Sequence, residues 1–111
     1  MNKADIVLIK FPFTDLSGSK RQPALILTTV KQYEPDIIVA FISSVIPSSL
    51  SATDVFLSTS DALKFGLKKT SVIKLDKLAT LDKSLVTGEF GSLSVTEMEL
   101  VKHKLKIALE L

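Results

Sequence analysis

Short runs of apolar, β-branched and aromatic residues recur through the first 90 positions of the chain, separated by polar or turn-forming residues. Runs of this kind, bounded by Pro, Gly, Ser or Asp, predict β-strands. The predicted strands cover residues 5–11, 24–31, 36–45, 54–58 and 71–75. Five or six short strands joined by polar turns indicate a small barrel or sandwich.

The third predicted strand is apolar on both faces and ends in two serines. Alternation places Ile38, Ala40 and Ile42 on one face and Val39, Phe41 and Ser43 on the other. A strand that is apolar on both faces is typical of the centre of a sheet. We therefore expect Ser43 and Ser44 at the rim of the sheet, where a hydroxyl can bind a phosphate oxygen.

The segment between the first two strands is polar and is bracketed by Pro12 and Pro23. Because proline cannot donate to a sheet ladder, we expect an exposed, mobile loop here. This loop contains Arg21, the one arginine among fourteen basic residues. A guanidinium is a planar, permanently charged fork, so its single use favours a geometric role.

Helical patterns follow the fourth strand and close the chain. Residues 58–66, STSDALKFG, are compatible with a short helix that begins near Ser58 and ends at Gly66. Residues 93–111 predict a longer helix with a capping box of Ser94 and Glu97 and a staple of Leu93 on Met98. Its apolar positions, at 3-4-3 spacing, are Met98, Val101, Leu105 and Ala108, and its outward positions are Glu99, Lys102, Lys106 and Glu110. We expect this helix to close the fold, with His103 exposed.

The composition is that of an ordinary globular chain. With 46% hydrophobic and 23% charged residues among 111, we expect a single domain over residues 1–111. The longest apolar run, residues 37–42, has six residues, against about 18 for a membrane span. With no signal-peptide pattern either, the expectation is a cytoplasmic protein with no membrane association. The absence of cysteine and the single histidine exclude thiolate and multi-histidine metal centres within one chain, so no metal or other cofactor is predicted.

The net charge of +2 conceals an uneven distribution of charged residues. No lysine or arginine occurs from residue 32 to residue 63, where four acidic residues lie, so the rest of the chain holds all 14 basic residues against the other 8 of the 12 acidic ones. The densest basic segment contains Lys64, Lys68, Lys69, Lys74 and Lys77. Clustered lysine favours an anionic partner such as a nucleic acid, and a solvated basic face is the alternative.

Two patterns are candidates for phosphate chemistry. The SGSKR segment, residues 17–21, offers backbone N–H groups, Lys20 and Arg21 to a phosphate, although it lacks the GxxxxGK[ST] spacing of a nucleotide-triphosphatase loop. Lys74 and Asp76 stand at i and i+2 of a strand, so they are expected on one face, about 7 Å apart. An acid and a base at that spacing suit a group of phosphate size. A solvated hairpin and a surface ion pair are the respective alternatives.

Taken in order, these segments resemble the MazF/PemK family of toxins from prokaryotic toxin–antitoxin systems. The segments are DIVLIKFPFTD, SGSKRQPALIL, IIVAFISS, DVFL, GLKKTSVIKLDKLATLD and GEFGSLS, followed by the terminal helix, and they cover nearly the whole chain. The resemblance implies a mainly β fold, an SH3-like small β-barrel with a C-terminal α-helix, in a homodimer. It also implies metal-independent cleavage of single-stranded RNA to a 2′,3′-cyclic phosphate, inhibition by a cognate antitoxin protein, and binding of operator DNA only together with that antitoxin.

Site positions of the family transfer with two departures. The family's arginine immediately before the proline of its RPALVL motif corresponds to Gln22, and Arg21 stands one residue earlier. The serine or threonine at the end of the third strand corresponds to Ser43. The arginine and aspartate of a V-V-R-x-D run correspond to Lys74 and Asp76. Lysine keeps the charge but loses the planar fork.

The resemblance therefore implies catalysis by transesterification within the RNA. Asp76 takes the proton of the ribose 2′-OH, Arg21 and Lys74 stabilise the phosphorane and assist departure of the 5′-oxygen, and Ser43 holds a non-bridging oxygen. The further residues expected to bind RNA are Lys20, Gln22, Ser44 and Lys77. The alternatives are a non-enzymatic toxin with a protein target and a barrel of the same fold that only binds nucleic acid or regulates its own operon.

Overall fold

Six β-strands and two α-helices make up the computed structural model, which describes residues 1–15 and 18–111 and the side chains of residues 1–10 and 21–111. The strands are β1 (Asp5–Asp15), β2 (Gly18–Ile26), β3 (Asp36–Ser43), β4 (Asp54–Leu57), β5 (Ser71–Asp82) and β6 (Val86–Ser92). The helices are α1 (Thr59–Lys64), between β4 and β5, and α2 (Val95–Leu109), after β6. A 3-10 turn, Lys83–Leu85, joins β5 to β6.

All six strands belong to one antiparallel sheet in the order β4-β5-β3-β2-β1-β6. The predicted fold class, mainly β with a C-terminal α-helix, is confirmed. Within the described residues β4 and β6 each pair on one side only, so "barrel" applies loosely to a sheet whose hydrogen bonding stays open. β6 was not among the five predicted strands because its Gly88 and Gly91 weaken the strand pattern.

Most of the predicted loop between Pro12 and Pro23 belongs instead to a long hairpin of β1 and β2. Pro23 lies inside β2 opposite Leu8. The β2–β3 ladder begins only at Ala24, so at Pro23 the other side of β2 carries no ladder pair, and a proline is tolerated there. Leu16 and Ser17 and the side chain of Lys20 lie outside the described part of the chain, and the mobility of this segment stays a prediction.

Both predicted helices are confirmed, and one predicted cap is wrong. α1 has Ser58 as its N-cap, with Ser58 Oγ accepting from the Asp61 N–H at 3.2 Å. At α2 the capping box is wrong, because the Ser94 side chain makes no cap hydrogen bond. The Glu97 carboxylate does not reach back to Ser94; its Oε2 is buried without a hydrogen-bond partner in the described structure. His103 is exposed, as predicted.

Both faces of the sheet carry buried apolar residues. One cluster lies under the two helices and includes Ile6, Leu25, Ile42 and Ile73, with Val101 of α2. The other face carries a second cluster; its members are Val7, Ile9, Ala24, Ile26, Ile37 and Val39. Burial on both faces explains why β1, β2 and β3 are apolar at consecutive positions. No helix in the described part of the chain is long and apolar enough to cross a membrane.

Two glycines let the turn after α1 approach β6 closely. Gly66 follows α1, and hence β4, while Gly91 lies in β6 at the opposite end of the strand order. A Cβ on Gly66 would overlap the Phe90 carbonyl oxygen, and a Cβ on Gly91 would overlap the Phe65 carbonyl oxygen. The backbone that follows α1 therefore touches the backbone of β6 at a point where no side chain fits.

Substitution of Gly66 tests this contact. Gly66 has φ +90° besides the close approach, so Gly66→Ala is expected to lower the free energy of unfolding by more than ~1 kcal/mol. Urea denaturation followed by circular dichroism measures the change. Gly88→Ala is the matched control, since its Cβ would meet only Leu8 Cβ, at 3.8 Å. Equal stability of the two variants would contradict a backbone contact at Gly66.

Candidate functional site

The pairing of β5 fixes Lys74 between β3 and the edge strand β4. Lys74 lies opposite Phe41 of β3 and opposite Asp54 of β4, and Phe41 in turn lies opposite Ala24 of β2. Residues paired across strands project to the same face. The side chains of Asp54, Lys74 and Phe41 therefore share the face that carries Ala24.

Lys74 is held by a buried carboxylate. Lys74 Nζ lies 3.6 Å from Asp54 Oδ1, and the Asp54 side chain is only 2% exposed whereas that of Lys74 is 29% exposed. Asp54 Oδ2 accepts the Ser51 N–H at 2.9 Å, but Oδ1 is buried with no hydrogen-bond partner in the described structure. A buried charge needs a compensating one, so the ammonium of Lys74 is the group that compensates Asp54.

The strand pattern of residues 54–58 indicates Asp54 only as the start of a strand. Its partnership with Lys74 depends on the β4–β5 register, which joins residues twenty positions apart. The pattern Ser51-x-x-Asp54, in which the aspartate accepts from the serine N–H, is the local signal that marks this residue as more than a strand boundary.

Ser43 and Gln22 lie on the same face as Lys74, one step closer to the rim. Ser43 is two residues from Phe41 on β3 and lies opposite Val72. Gln22 is two residues from Ala24 on β2, and its Nε2 donates to the Ile42 carbonyl at 3.3 Å. The Ser43 hydroxyl accepts the Val45 N–H at 3.0 Å as the chain leaves β3. These contacts bring Gln22, Ser43 and Lys74 together on adjacent strands.

Arg21 does not join this group. The β1–β2 register runs without interruption from Lys20 to Leu25, so alternation holds through this part of β2. Gln22 shares its face with Ala24, whereas Arg21 shares the opposite face with Pro23 and lies across from Lys10. Arg21 is exposed there. The one-residue offset seen in the sequence thus moves the guanidinium to the other side of the sheet.

Asp76 and Lys77 lie in a bulge of β5. Ala40 pairs with Leu78, whereas the next residue of β3, Phe41, pairs with Lys74. Three residues of β5 are therefore without a partner on β3, and strict alternation does not carry through them. Asp76 and Lys77 are both exposed. Asp76 remains two residues from Lys74, but the partner that Lys74 takes is Asp54.

Electrostatically, the site is one anchored cation beside polar groups. Lys74, Ser43 and Gln22 can all donate hydrogen bonds to an oxyanion, and Asp76, two residues after Lys74 on β5, supplies a solvent-accessible carboxylate. Ser44, next along the chain, is exposed. No group of three or more His, Cys, Asp or Glu in the described residues is arranged to hold a metal ion. The arrangement can bind a phosphate and accept a proton beside it.

A model of one protein family matches residues 2–109, and the family is described as PemK-like, MazF-like toxins of type II toxin–antitoxin systems. Endoribonuclease EndoA of Bacillus subtilis (strain 168) is 32% identical over 107 residues, covering 89% of this chain and 90% of that protein. Endoribonuclease MazF of Staphylococcus saprophyticus is 31% identical over 116 residues, covering 100% of this chain and 92% of that protein.

Solved structures share the fold at lower sequence identity. A MazE-MazF structure (Form-II) from Deinococcus radiodurans has a TM-score of 0.80 and 17% identity, covering 100% of this chain and 96% of that chain. The Mycobacterium tuberculosis toxin MazF-mt6 has a TM-score of 0.76 and 21% identity, covering 96% and 97% of the two chains. A mycobacterial endoribonuclease in complex with its cognate antitoxin also has a TM-score of 0.76, with 18% identity, covering 100% and 96%.

A double-mutant cycle tests whether Lys74 and Asp54 form an energetic pair. We expect Asp54→Asn, Lys74→Met and the double variant to show a coupling free energy of about 1 kcal/mol, because the carboxylate is buried although the lysine is partly screened. Urea denaturation measures it. Lys31 and Glu34 are the matched control, with the same N–O distance of 3.6 Å but side chains 64% and 63% exposed. Additivity in the Asp54 cycle, or equal coupling in both cycles, would contradict the pairing.

Proposed function

The chain belongs to the family of PemK-like, MazF-like toxins of type II toxin–antitoxin systems, and we propose that it is an endoribonuclease that cleaves single-stranded RNA without a metal ion. The two curated relatives above 30% identity are both endoribonucleases. One observation supports specific residues for this activity: Lys74, held by Asp54, lies on the same face of the sheet as Ser43 and Gln22.

The proposed reaction uses a nucleophile that the RNA itself provides. The Asp76 carboxylate takes the proton of a ribose 2′-OH, and the 2′-oxygen attacks the adjacent phosphorus. A new bond from the 2′-oxygen to phosphorus forms, and the bond from phosphorus to the 5′-oxygen breaks. The 5′-oxygen leaves as a hydroxyl after taking a proton from water, and Asp76 then gives its proton back to the solvent. The products are a 2′,3′-cyclic phosphate and a 5′-OH end, and no metal ion takes part.

Lys74 stabilises the charge that develops on the phosphorane. A cation placed before the reaction stabilises a transition state without a cost of reorganisation, and Asp54 holds the ammonium of Lys74 in that position. Ser43 and Gln22 donate to non-bridging oxygens from the neighbouring strands. Arg21, on the other face of β2, binds the RNA backbone away from the reacting phosphate.

We further propose partners and a setting from the family. Related structures include a mycobacterial endoribonuclease in complex with its cognate antitoxin, which supports an antitoxin protein as the partner of this chain, with operator DNA bound only through that complex. A homodimer is proposed as well, as the family resemblance implies, and the single chain exposes large apolar side chains that a second copy could cover, Phe56 and Val95 among them. The setting is the cytoplasm of a prokaryote.

Cleavage of a labelled single-stranded RNA in EDTA tests the site. We expect Lys74→Ala to lower the single-turnover rate by about 10²–10³, Lys74→Arg to restore most of it, and Asp76→Asn to reduce it strongly because the base is lost. Lys102→Ala, an exposed lysine of α2, is the control and should cut like the parent. Parent-like cleavage by Lys74→Ala and Asp76→Asn would overturn the site. Binding without cleavage by the parent would favour a nucleic-acid-binding module.

One more variant in the same assay tests the strand register. Gln22→Arg places a guanidinium on the face of Ser43 and Lys74, so we expect the rate to rise by roughly 10-fold, within the range that one added donor can supply. Arg21→Gln should weaken RNA binding and leave the single-turnover rate at saturating protein nearly unchanged. A large fall in that rate for Arg21→Gln would show that Arg21 reaches the reacting phosphate.

A further inference from the structure

A shallow cavity of about 220 Å³ lies on the other side of the rim from Ser43. Pro23, Leu67 and Phe90 supply its apolar surface. Ser44, Lys68 and Lys69 supply polar groups at the same cavity. It is smaller than the ~300–1,000 Å³ typical of pockets for drug-sized ligands, and its size and lining suit one planar ring with an attached anion.

The cavity and the candidate site are lined by residues that are neighbours in the chain. Ser44 lines the cavity while its neighbour Ser43 lies on the face of Lys74. Pro23 lines the cavity while its neighbour Gln22 donates to the Ile42 carbonyl on the Lys74 side. A strand of RNA that crosses this end of β2 and β3 would therefore contact both places, because their residues are next to each other in the chain.

The charged residues that line the cavity are both lysines. Lys68 and Lys69 are adjacent and exposed, and the Ser71 hydroxyl, which donates to the Lys69 carbonyl at 2.9 Å, braces the turn that presents them. Arg21 lies two residues before Pro23 on the same face of β2 and is also exposed. Two cations thus line an apolar cavity that contains none of the residues assigned to the reaction, and Arg21 stands two residues from Pro23 at its edge.

We infer that this cavity is a second nucleotide subsite, which holds a base against Phe90, Leu67 and Pro23 and its phosphate between Lys68 and Lys69. The inference rests on the proposed function, because it assigns to the cavity a nucleotide next to the one that is cut. An apolar surface with clustered cations is what single-stranded nucleic acid binds, by base contact and phosphate neutralisation together. Arg21 adds a phosphate contact where the RNA leaves the cavity.

Binding of an RNA that cannot be cut tests the subsite separately from cleavage. The probe is a fluorescently labelled single-stranded 2′-O-methyl RNA of mixed sequence, which lacks the attacking hydroxyl, measured by fluorescence anisotropy over a range of salt concentrations. We expect the double variant Lys68→Ala and Lys69→Ala to bind about 10-fold more weakly at low salt and to reduce the slope of log K against log salt by about 1.4, for two phosphate contacts. The control is the double variant Lys102→Ala and Lys106→Ala, which removes two exposed lysines of α2 and should bind like the parent.

Photo-crosslinking locates the base. A 4-thiouridine in the same oligonucleotide is expected to crosslink to the peptide that contains Leu67 or to the one that contains Phe90. Parent-like affinity and slope in the Lys68 and Lys69 variant, or equal losses in both double variants, would overturn the subsite. Unchanged RNA binding together with lost binding of a polyglutamate peptide would assign the cavity to an acidic protein segment and also overturn it. A parent that binds the probe but cuts no RNA would sink the proposed function and leave the subsite standing.

Discussion

The ion pair between Lys74 and the buried Asp54 is the constraint on which the proposed site depends. Lys74 Nζ and Asp54 Oδ1 are 3.6 Å apart, and the pair exists only because β5 lies between β3 and β4 in one register. The same register puts Phe41 opposite Lys74, and Ser43 lies two residues after Phe41 on β3. The long, flexible side chain of Lys74 is thereby held at one place on the sheet by the Asp54 carboxylate.

This end of the molecule has two usable surfaces. The helices cover one face of the sheet, and the turn after α1 contacts β6 at Gly66 and Gly91. At the rim, alternation in β2 sends Gln22 to one side and Pro23 to the other. Ser43 ends β3 on the side of Gln22, and Ser44, just beyond β3, lines the cavity beside Pro23. A surface suited to phosphate chemistry thus lies next to a cavity suited to holding a neighbouring nucleotide. The residues of the two places are adjacent in the chain, Gln22 with Pro23 and Ser43 with Ser44.

Local pattern was enough for most of the fold. The strands at Asp36, Asp54 and Ser71, both helices and the exposed His103 follow from residues close together in the chain. Features that depend on non-local pairing did not follow: the extension of β2 back to Gly18, the bulge after Lys74, and the partnership with Asp54. The side of the sheet on which Arg21 lies follows from its spacing to Ala24 along β2. Because β2 is apolar on both faces, the pattern of residue types does not indicate which of its residues share a face with Lys74. Ser43 and Lys74 could be named from the family resemblance, whereas their common face required the register.

The chemistry of the cut ends tests the central claim most directly. Mass spectrometry of the products of a single-stranded RNA incubated with the protein in EDTA should find a 2′,3′-cyclic phosphate on one fragment and a 5′-hydroxyl on the other. Replacement of the ribose before the cut by 2′-deoxyribose should abolish that cut, because the nucleophile is gone. A 5′-phosphate on the products, or continued cleavage at the deoxyribose, would contradict transesterification and the roles assigned to Asp76 and Lys74.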